Sequence, residues 1–306
     1  REREVDVIVG WGGGSALDVG KAVAMLLANG RDPLDYLEVI GKGKPITKPS
    51  LPFVAVPTTA GTGSEVTRNA VLLSQEHRRK ASLRSPHMLP RMAVVDPLLT
   101  HSLSPELTAS TGLDALTQLI EPYLCRQPNL LVDPWCWDGM QRTARSLVEA
   151  YRDGSNEAAR EDMAAASLMG GFALANARLG AVHGLAGPIG GMFDAPHGMI
   201  CARLLPLVLE SNLDALRRRG DDGGALLRFD HVARLLTRSP LSRATDGIHW
   251  IREACKEMSV PGLSYWGIAD EHIPAIAELA RSSSSMKGNP VDLSTEELSE
   301  LLGAAA

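Results

Sequence analysis

Two patterns of hydrophobic and polar positions follow one another along the chain. Residues 5–10 (Val5, Asp6, Val7, Ile8, Val9, Gly10) form a short β-branched run closed by glycine, which predicts a buried strand. After the turn Gly12-Gly13-Gly14-Ser15, residues 16–29 carry apolar positions at helical spacing through Val19, Val23, Leu26 and Leu27. A second strand is predicted over Pro52–Pro57, leading into Thr58-Thr59-Ala60-Gly61-Thr62-Gly63-Ser64. Val66–Leu73 and Ala93–Asp96 read as further strand material. Strands alternating with helices predict a mainly parallel α/β sheet.

From about Pro105 strand-like runs nearly vanish, and long amphipathic segments rich in alanine and leucine replace them. Helices are predicted over residues 133–151, 157–179, 229–237, 246–258 and 273–282. The breakers are Asp153-Gly154, the 221–224 tract, Val260-Pro261-Gly262 and Lys287–Pro290; Ser282–Ser285 reads as a loop or helix end. The expected organisation is an α/β nucleotide-binding domain over 1–104 followed by an all-α domain over 105–306. No internal repeat is evident. A strand and glycine turn of this kind usually have further strands before them. Here the turn arrives at residue 12, so the first domain is expected to be N-terminally incomplete, with one sheet edge open.

Composition narrows the class. With 306 residues, 44% hydrophobic and 22% charged, the chain can bury a large core and is no disordered segment. A net charge of −5 argues against a broad nucleic-acid footprint, and the tightest basic run, Arg217-Arg218-Arg219, reads as a solvated helix end next to Asp221 and Asp222. Four scattered cysteines without a C-x-x-C pair suggest neither a disulfide framework nor a thiolate zinc site. No apolar run is long enough to span a bilayer, and the mixed-charge opening Arg1–Glu4 is not that of a signal peptide, so a cytoplasmic protein is expected. Aromatic residues make up only 4%, which suits closely packed helices.

The candidate chemistry starts with the glycines. Three in succession between strand and helix are costly unless something must come close, and free amides at a helix start attract phosphate. Ser15 could cap that helix or donate to a phosphate oxygen. The hydroxyl-rich loop 58–64 sits at the C-terminal end of a strand, where ligands bind in open α/β sheets. Two such loops in one cleft suggest a dinucleotide. Lys80 could reach a ribose or phosphate, although alone it reads as surface charge. Farther along, Asp114 and Gln118 share a helix face, and His183 and His197 follow. One carboxylate with two imidazoles is a plausible divalent site, though each histidine alone is more readily a packed or capping residue.

At this point the residues resemble a known family. The pattern Gly-Gly-Gly-Ser-x-x-Asp-x-x-Lys at 12–21, the 58–67 stretch, Val95-Asp96-Pro97, Thr111–Glu121 and His183–His197 stand in the order found in iron-containing (group III) alcohol dehydrogenases. The resemblance covers nearly the whole chain. It implies the dehydroquinate synthase-like fold: an N-terminal Rossmann-like domain, a helical metal-binding domain, and an active site between them. It also implies NAD or NADP, a divalent metal such as iron or zinc, and a small alcohol or aldehyde substrate. Asp114, His183 and His197 match metal ligands and the catalytic centre. Gly13, Gly14, Ser15, Asp18, Thr58, Thr59, Thr62 and Lys80 match cofactor contacts. Trp11 is bulkier than the pattern predicts and would shape the adenine side.

Two positions depart from the family. Gln118 replaces a ligand histidine, offering a weaker, neutral oxygen, and Gly187 replaces a histidine beside the metal, removing a proton carrier and enlarging the pocket. A water chain or ribose hydroxyl would then carry the alcohol proton. The acidic residue that reads the adenosine ribose lies upstream in the family, so NAD and NADP are not distinguished. A homodimer is the default expectation. Two rival readings remain: a metal-independent reductase similar to maleylacetate reductases, and a catalytically eroded nucleotide-binding protein.

Overall fold

The computed structural model describes residues 5–30, 32–77, 79–220 and 224–306. Arg1–Glu4 and the pair Asp221 and Asp222, on which two of the sequence readings fall, lie outside the described residues.

Strand β1 (Ile8–Gly12) runs into helix α1 (Gly14–Asn29) and then strand β2 (Phe53–Pro57). β1 and β2 pair in parallel, Ile8 opposite Phe53 and Gly12 opposite Pro57. The first strand begins later than its apolar run because a strand extends only as far as a neighbour can accept its ladder, and the Ile8 amide donates to the Pro52 carbonyl at 2.9 Å. β3 (Asn69–Ser74) and β4 (Arg79–Arg84) follow, then β5 (Met92–Ala93), which pairs in parallel with β2. The sheet order is β1-β2-β5, so β1 is an edge strand among the described residues, with Val7, Val9 and Trp11 exposed.

The mainly parallel α/β sheet expected from the sequence is present as β1-β2-β5, and an antiparallel hairpin stands beside it. β3 pairs only with β4, antiparallel, as a separate hairpin with Ala70 opposite Leu83. β4 escapes a reading of apolar runs because its inward positions are only Ala81 and Leu83, set among Arg79, Lys80, Ser82 and Arg84. Those two side chains pack with Ala70 and with Ala22 and Met25 of α1.

Lys21 fastens this part together. Its buried ammonium donates to the Ser64 carbonyl at 2.9 Å and Thr67 Oγ1 at 3.2 Å, and pairs with Asp18 at 3.0 Å. Asp18 in turn accepts from Ser64 Oγ at 2.6 Å and the Val71 amide at 2.9 Å. Helix α1 is thereby tied to the hydroxyl-rich loop and to the hairpin.

Nine helices make up the rest of the described chain: α2 (Pro105–Leu124), α3 (Asp133–Arg152), α4 (Glu157–Asn176), α5 (Ala181–Met192), α6 (His197–Arg219), α7 (Ala225–Thr237), α8 (Ala244–Glu257), α9 (Ile273–Arg281) and α10 (Thr295–Ala305). α2 starts at the residue where the hydrophobic pattern changes; Pro105 opens it and the Ser104 hydroxyl accepts the Leu107 amide at 3.3 Å. Its neighbours enclose it so completely that nearly every residue from Thr108 to Leu124 is buried. It forms the axis of the main core with Met140 and Leu147 of α3, Leu185 and Ile189 of α5, and Leu204 and Leu205 of α6. Arg217, Arg218 and Arg219 do end a helix, α6.

The two parts meet where the loop after β2 crosses α4. Gly63 takes a left-handed conformation (φ 60°), and a Cβ on Gly171 of α4 would come within 2.7 Å of the Gly63 carbonyl oxygen and 2.6 Å of Val66. Backbone thus lies on backbone. Gly187, inside α5, is the opposite case, for a Cβ there meets nothing within 4 Å. Gly171→Ala is expected to lower stability in urea titration by about 1–3 kcal/mol, as overpacking does. Gly187→Ala should leave it unchanged or raise it by up to about 1 kcal/mol through helix propensity. Equal effects at the two positions would contradict this account of the contact.

Candidate active site

An otherwise apolar, enclosed helix carries Asp114, Gln118 and Glu121 on one face, at i, i+4 and i+7. Buried polar groups without partners are expensive, so each calls for an explanation. Thr117, also buried, satisfies itself by donating to the Leu113 carbonyl at 2.7 Å. Glu121 is satisfied from outside its helix, accepting the Val182 amide at 2.7 Å through Oε1 and bonding His183 Nδ1 at 2.6 Å through Oε2. Asp114 Oδ1, Gln118 Oε1 and His183 Nε2 have no hydrogen-bond partner.

Two of these orphans face each other. His183, on the first turn of α5, and His197, the first residue of α6, bring Nε2 to 3.5 Å and 3.9 Å from Asp114 Oδ1. Their rings are 5.5 Å apart between centroids. These separations are long for hydrogen bonds. They approach the edge of a tetrahedral metal site, about 3.4 Å between nitrogen and oxygen ligands for bonds of about 2.05 and 2.1 Å. The three side chains therefore suit a divalent cation better than they suit one another. A carboxylate on the far nitrogen of a ligand histidine is also what fixes such a ring in metal sites. Burial works against charge on His183, but Glu121 and Asp114 outweigh it and push its pKa up to about 10. Burial likewise opposes charge on Asp114, and the neighbouring imidazoles still hold its carboxyl below the ordinary range.

The nucleotide loops converge as their composition suggests, with a difference in why glycine is needed. A Cβ on Gly13 would lie 3.2 Å from Thr59 Cγ2, and one on Gly14 only 2.6 Å from Thr62 Cγ2. Close approach by the second loop already calls for glycine at 14 and leaves little room for a side chain at 13. The amides of Gly14 and Ser15 open α1, where no preceding turn can accept them. Ser15 does not cap the helix: Gly13 holds that position, without a side-chain cap, and Ser15 is exposed. The carboxylate of Asp18 is engaged by Ser64, Lys21 and Val71, so it positions the loop.

Lys80 is not the plain surface charge it resembles alone. It is half-buried on β4, and its ammonium lies 2.8 Å from where a Cβ of Gly190 in α5 would stand. Burial lowers its pKa, against the pull of Cys201, Asp114 and Asp194. It thus spans from the hairpin to α5.

Asp114, His183 and His197 are brought together, and Gln118, one turn along α2, lies between Gly170 of α4 and Asp114, whose carboxyl its side chain helps to hold low. Two residues that sequence reasoning passed over belong to the arrangement. Glu121 was readable as the next turn of the Asp114 face. Cys201, one turn after His197 on α6, completes a set with Asp114, His183 and His197 whose donor atoms all lie within 4.8 Å of one another. No helix among the described residues is long and apolar enough to cross a membrane.

Comparison with known proteins identifies the family. Residues 1–97 match the family model described as iron-containing alcohol dehydrogenase, and residues 108–306 match its C-terminal counterpart. Alcohol dehydrogenase 4 of Saccharomyces cerevisiae is 35% identical, over 100% of this chain and 77% of its own length. The 1,3-propanediol dehydrogenase of Klebsiella pneumoniae is 36% identical with the same coverage. The crystal structure of sulfoacetaldehyde reductase from Bifidobacterium kashiwanohense in complex with NAD+ superposes with a TM-score of 0.88 at 30% identity, over 100% of this chain and 77% of that one. With its α/β and helical parts in this order and its polar face on α2, the chain belongs to the iron-containing alcohol dehydrogenase family.

Proposed function

We propose that the chain is an NAD(P)-dependent oxidoreductase that interconverts a small alcohol with its aldehyde or ketone at the Asp114–His183–His197 centre. The observation that carries this reading is the convergence of unpartnered buried donor atoms, one carboxylate oxygen and one imidazole nitrogen among them, at a single point. Asp114, His183 and His197 would hold a divalent metal, which would supply Lewis-acid polarisation of a substrate oxygen, and the two nucleotide loops would hold a nicotinamide, which would supply hydride chemistry.

The chain's own residues do the rest. Asp114 brings negative charge to the centre. Glu121 accepts the Nδ1 proton of His183 and so aims Nε2 at it. Gly13, Gly14, Ser15, Thr58, Thr59 and Thr62 line the cofactor cleft, where amides and hydroxyls can receive pyrophosphate and ribose. Asp18 holds Ser64 of that loop, and Lys80 presents its ammonium beside α5. Gly187 provides no proton carrier, so the alcohol proton leaves through water or a cofactor hydroxyl. A division at 104/105, homodimeric assembly, and a cytoplasmic location suited to four free thiols belong to the same reading.

Chelation of the metal is expected to lower NAD(P)H turnover on a panel of aldehydes by about 100-fold or more, with recovery when zinc or iron(II) is returned. Nucleotide binding, followed by calorimetry, should survive. Turnover that persists in fully metal-free protein would favour the metal-independent rival, and nucleotide binding without turnover in the loaded protein would favour an eroded enzyme. Glu121→Gln puts an amide donor against His183 Nδ1 and forces the ring proton onto Nε2. Zinc affinity in a chelator competition should fall about 10–100-fold. Gly187→Phe fills the open space on α5 and should cut kcat/KM for branched aldehydes about 10-fold more than for acetaldehyde.

A further inference from the structure

Cys201 is wholly buried on α6, one turn beyond His197, with Sγ 3.7 Å from His197 Nε2. A buried cysteine is ordinarily a small hydrophobic filler. This one instead reaches a point where three other donor atoms converge, all four lying within 4.8 Å of one another. With a metal–nitrogen bond of about 2.05 Å and a metal–sulfur bond of about 2.3 Å, nitrogen and sulfur ligands of a tetrahedral site stand about 3.6 Å apart. The observed spacing to His197 is that of such an edge.

We propose that Cys201 is a direct ligand of the metal centre, standing where Gln118 cannot supply an imidazole, and that it biases the site toward zinc(II) over iron(II). The inference rests on the metal site proposed above. The donor set becomes one carboxylate, two imidazoles and one thiolate. Thiolate is a soft ligand that suits zinc, and nitrogen and sulfur donors generally hold zinc more tightly than iron(II). On binding, the thiol proton passes to solvent and the sulfur lone pair forms the metal bond; no electron is transferred. Gln118 keeps its neutral oxygen and contributes little.

The test uses the whole protein, stripped of metal and loaded with one equivalent of cobalt(II). The expected result is a thiolate-to-cobalt charge-transfer band in the near ultraviolet beside the visible ligand-field bands. In Cys201→Ser the charge-transfer band disappears while the ligand-field bands remain. X-ray absorption of the zinc-loaded protein should show one sulfur at about 2.3 Å. Zinc affinity should fall at least about 10-fold in Cys201→Ser, since even an outer partner of a ligand is worth that much, and by less in Gln118→Ala. Cobalt bound with ligand-field bands but no charge-transfer band, together with only nitrogen and oxygen neighbours around zinc, overturns the inference and leaves the Asp114–His183–His197 site standing. Failure of the wild-type protein to take up either ion overturns both. Should Cys201→Ser not fold, the wild-type spectrum and absorption edge decide alone.

Discussion

The Glu121–His183 hydrogen bond is the contact on which the rest of the site depends. It joins the most deeply enclosed helix of the core to the first turn of α5 and decides which way the imidazole looks. Without it, Glu121 would be a carboxylate sealed among leucines, and His183 would be free to turn from Asp114. The same oxygen pair accepts the Val182 amide, so backbone and side chain of α5 are registered to α2 together. Asn289 adds a second clasp, accepting the Ala181 amide and exchanging hydrogen bonds with Asn212 of α6. Core and active site are therefore one construction: the helix that orders the apolar packing also sets the donor atoms.

This explains how much could be read from the chain in advance. The switch of hydrophobic period at Pro105 is a property of local sequence and coincides with the start of α2. Capping chemistry is local too, as at Ser104 and in the reciprocal Ser294–Glu297 box that opens α10. The glycine turn and the threonine loop stood out because both contain residues that are costly unless used. Asp114, His183 and His197 could be named through family resemblance, because spacing along the chain carries no information about residues brought together from α2, α5 and α6.

What escaped did so for physical reasons. β4 has only two inward side chains, and its pairing depends on β3. α5 holds Gly184, Gly187, Pro188 and Gly190, a composition that opposes helix by propensity and is overridden by packing on α2 and α6. α6 contains Pro206 yet runs unbroken over its 23 residues. Glu121 and Cys201 are chemically ordinary until folding places them against His183 and His197. The role of the glycines at 13 and 14 was also only half visible, since the threonines that crowd them come from another strand's loop.

The contact between Gly63 and Gly171 has a mechanical consequence. Two backbones that touch without side chains between them leave nothing to slide or repack, so that point behaves as a pivot. On the other side, where β4 packs on α5, the Lys80 side chain resting on Gly190 is long, jointed and easily re-extended. Any breathing of the α/β part against the helices then swings about the threonine loop, which stays in place, while the Lys80 hairpin travels. The paired glycine and threonine loops would keep their shape through such a motion, and the opening over Asp114, His183 and His197 would change width.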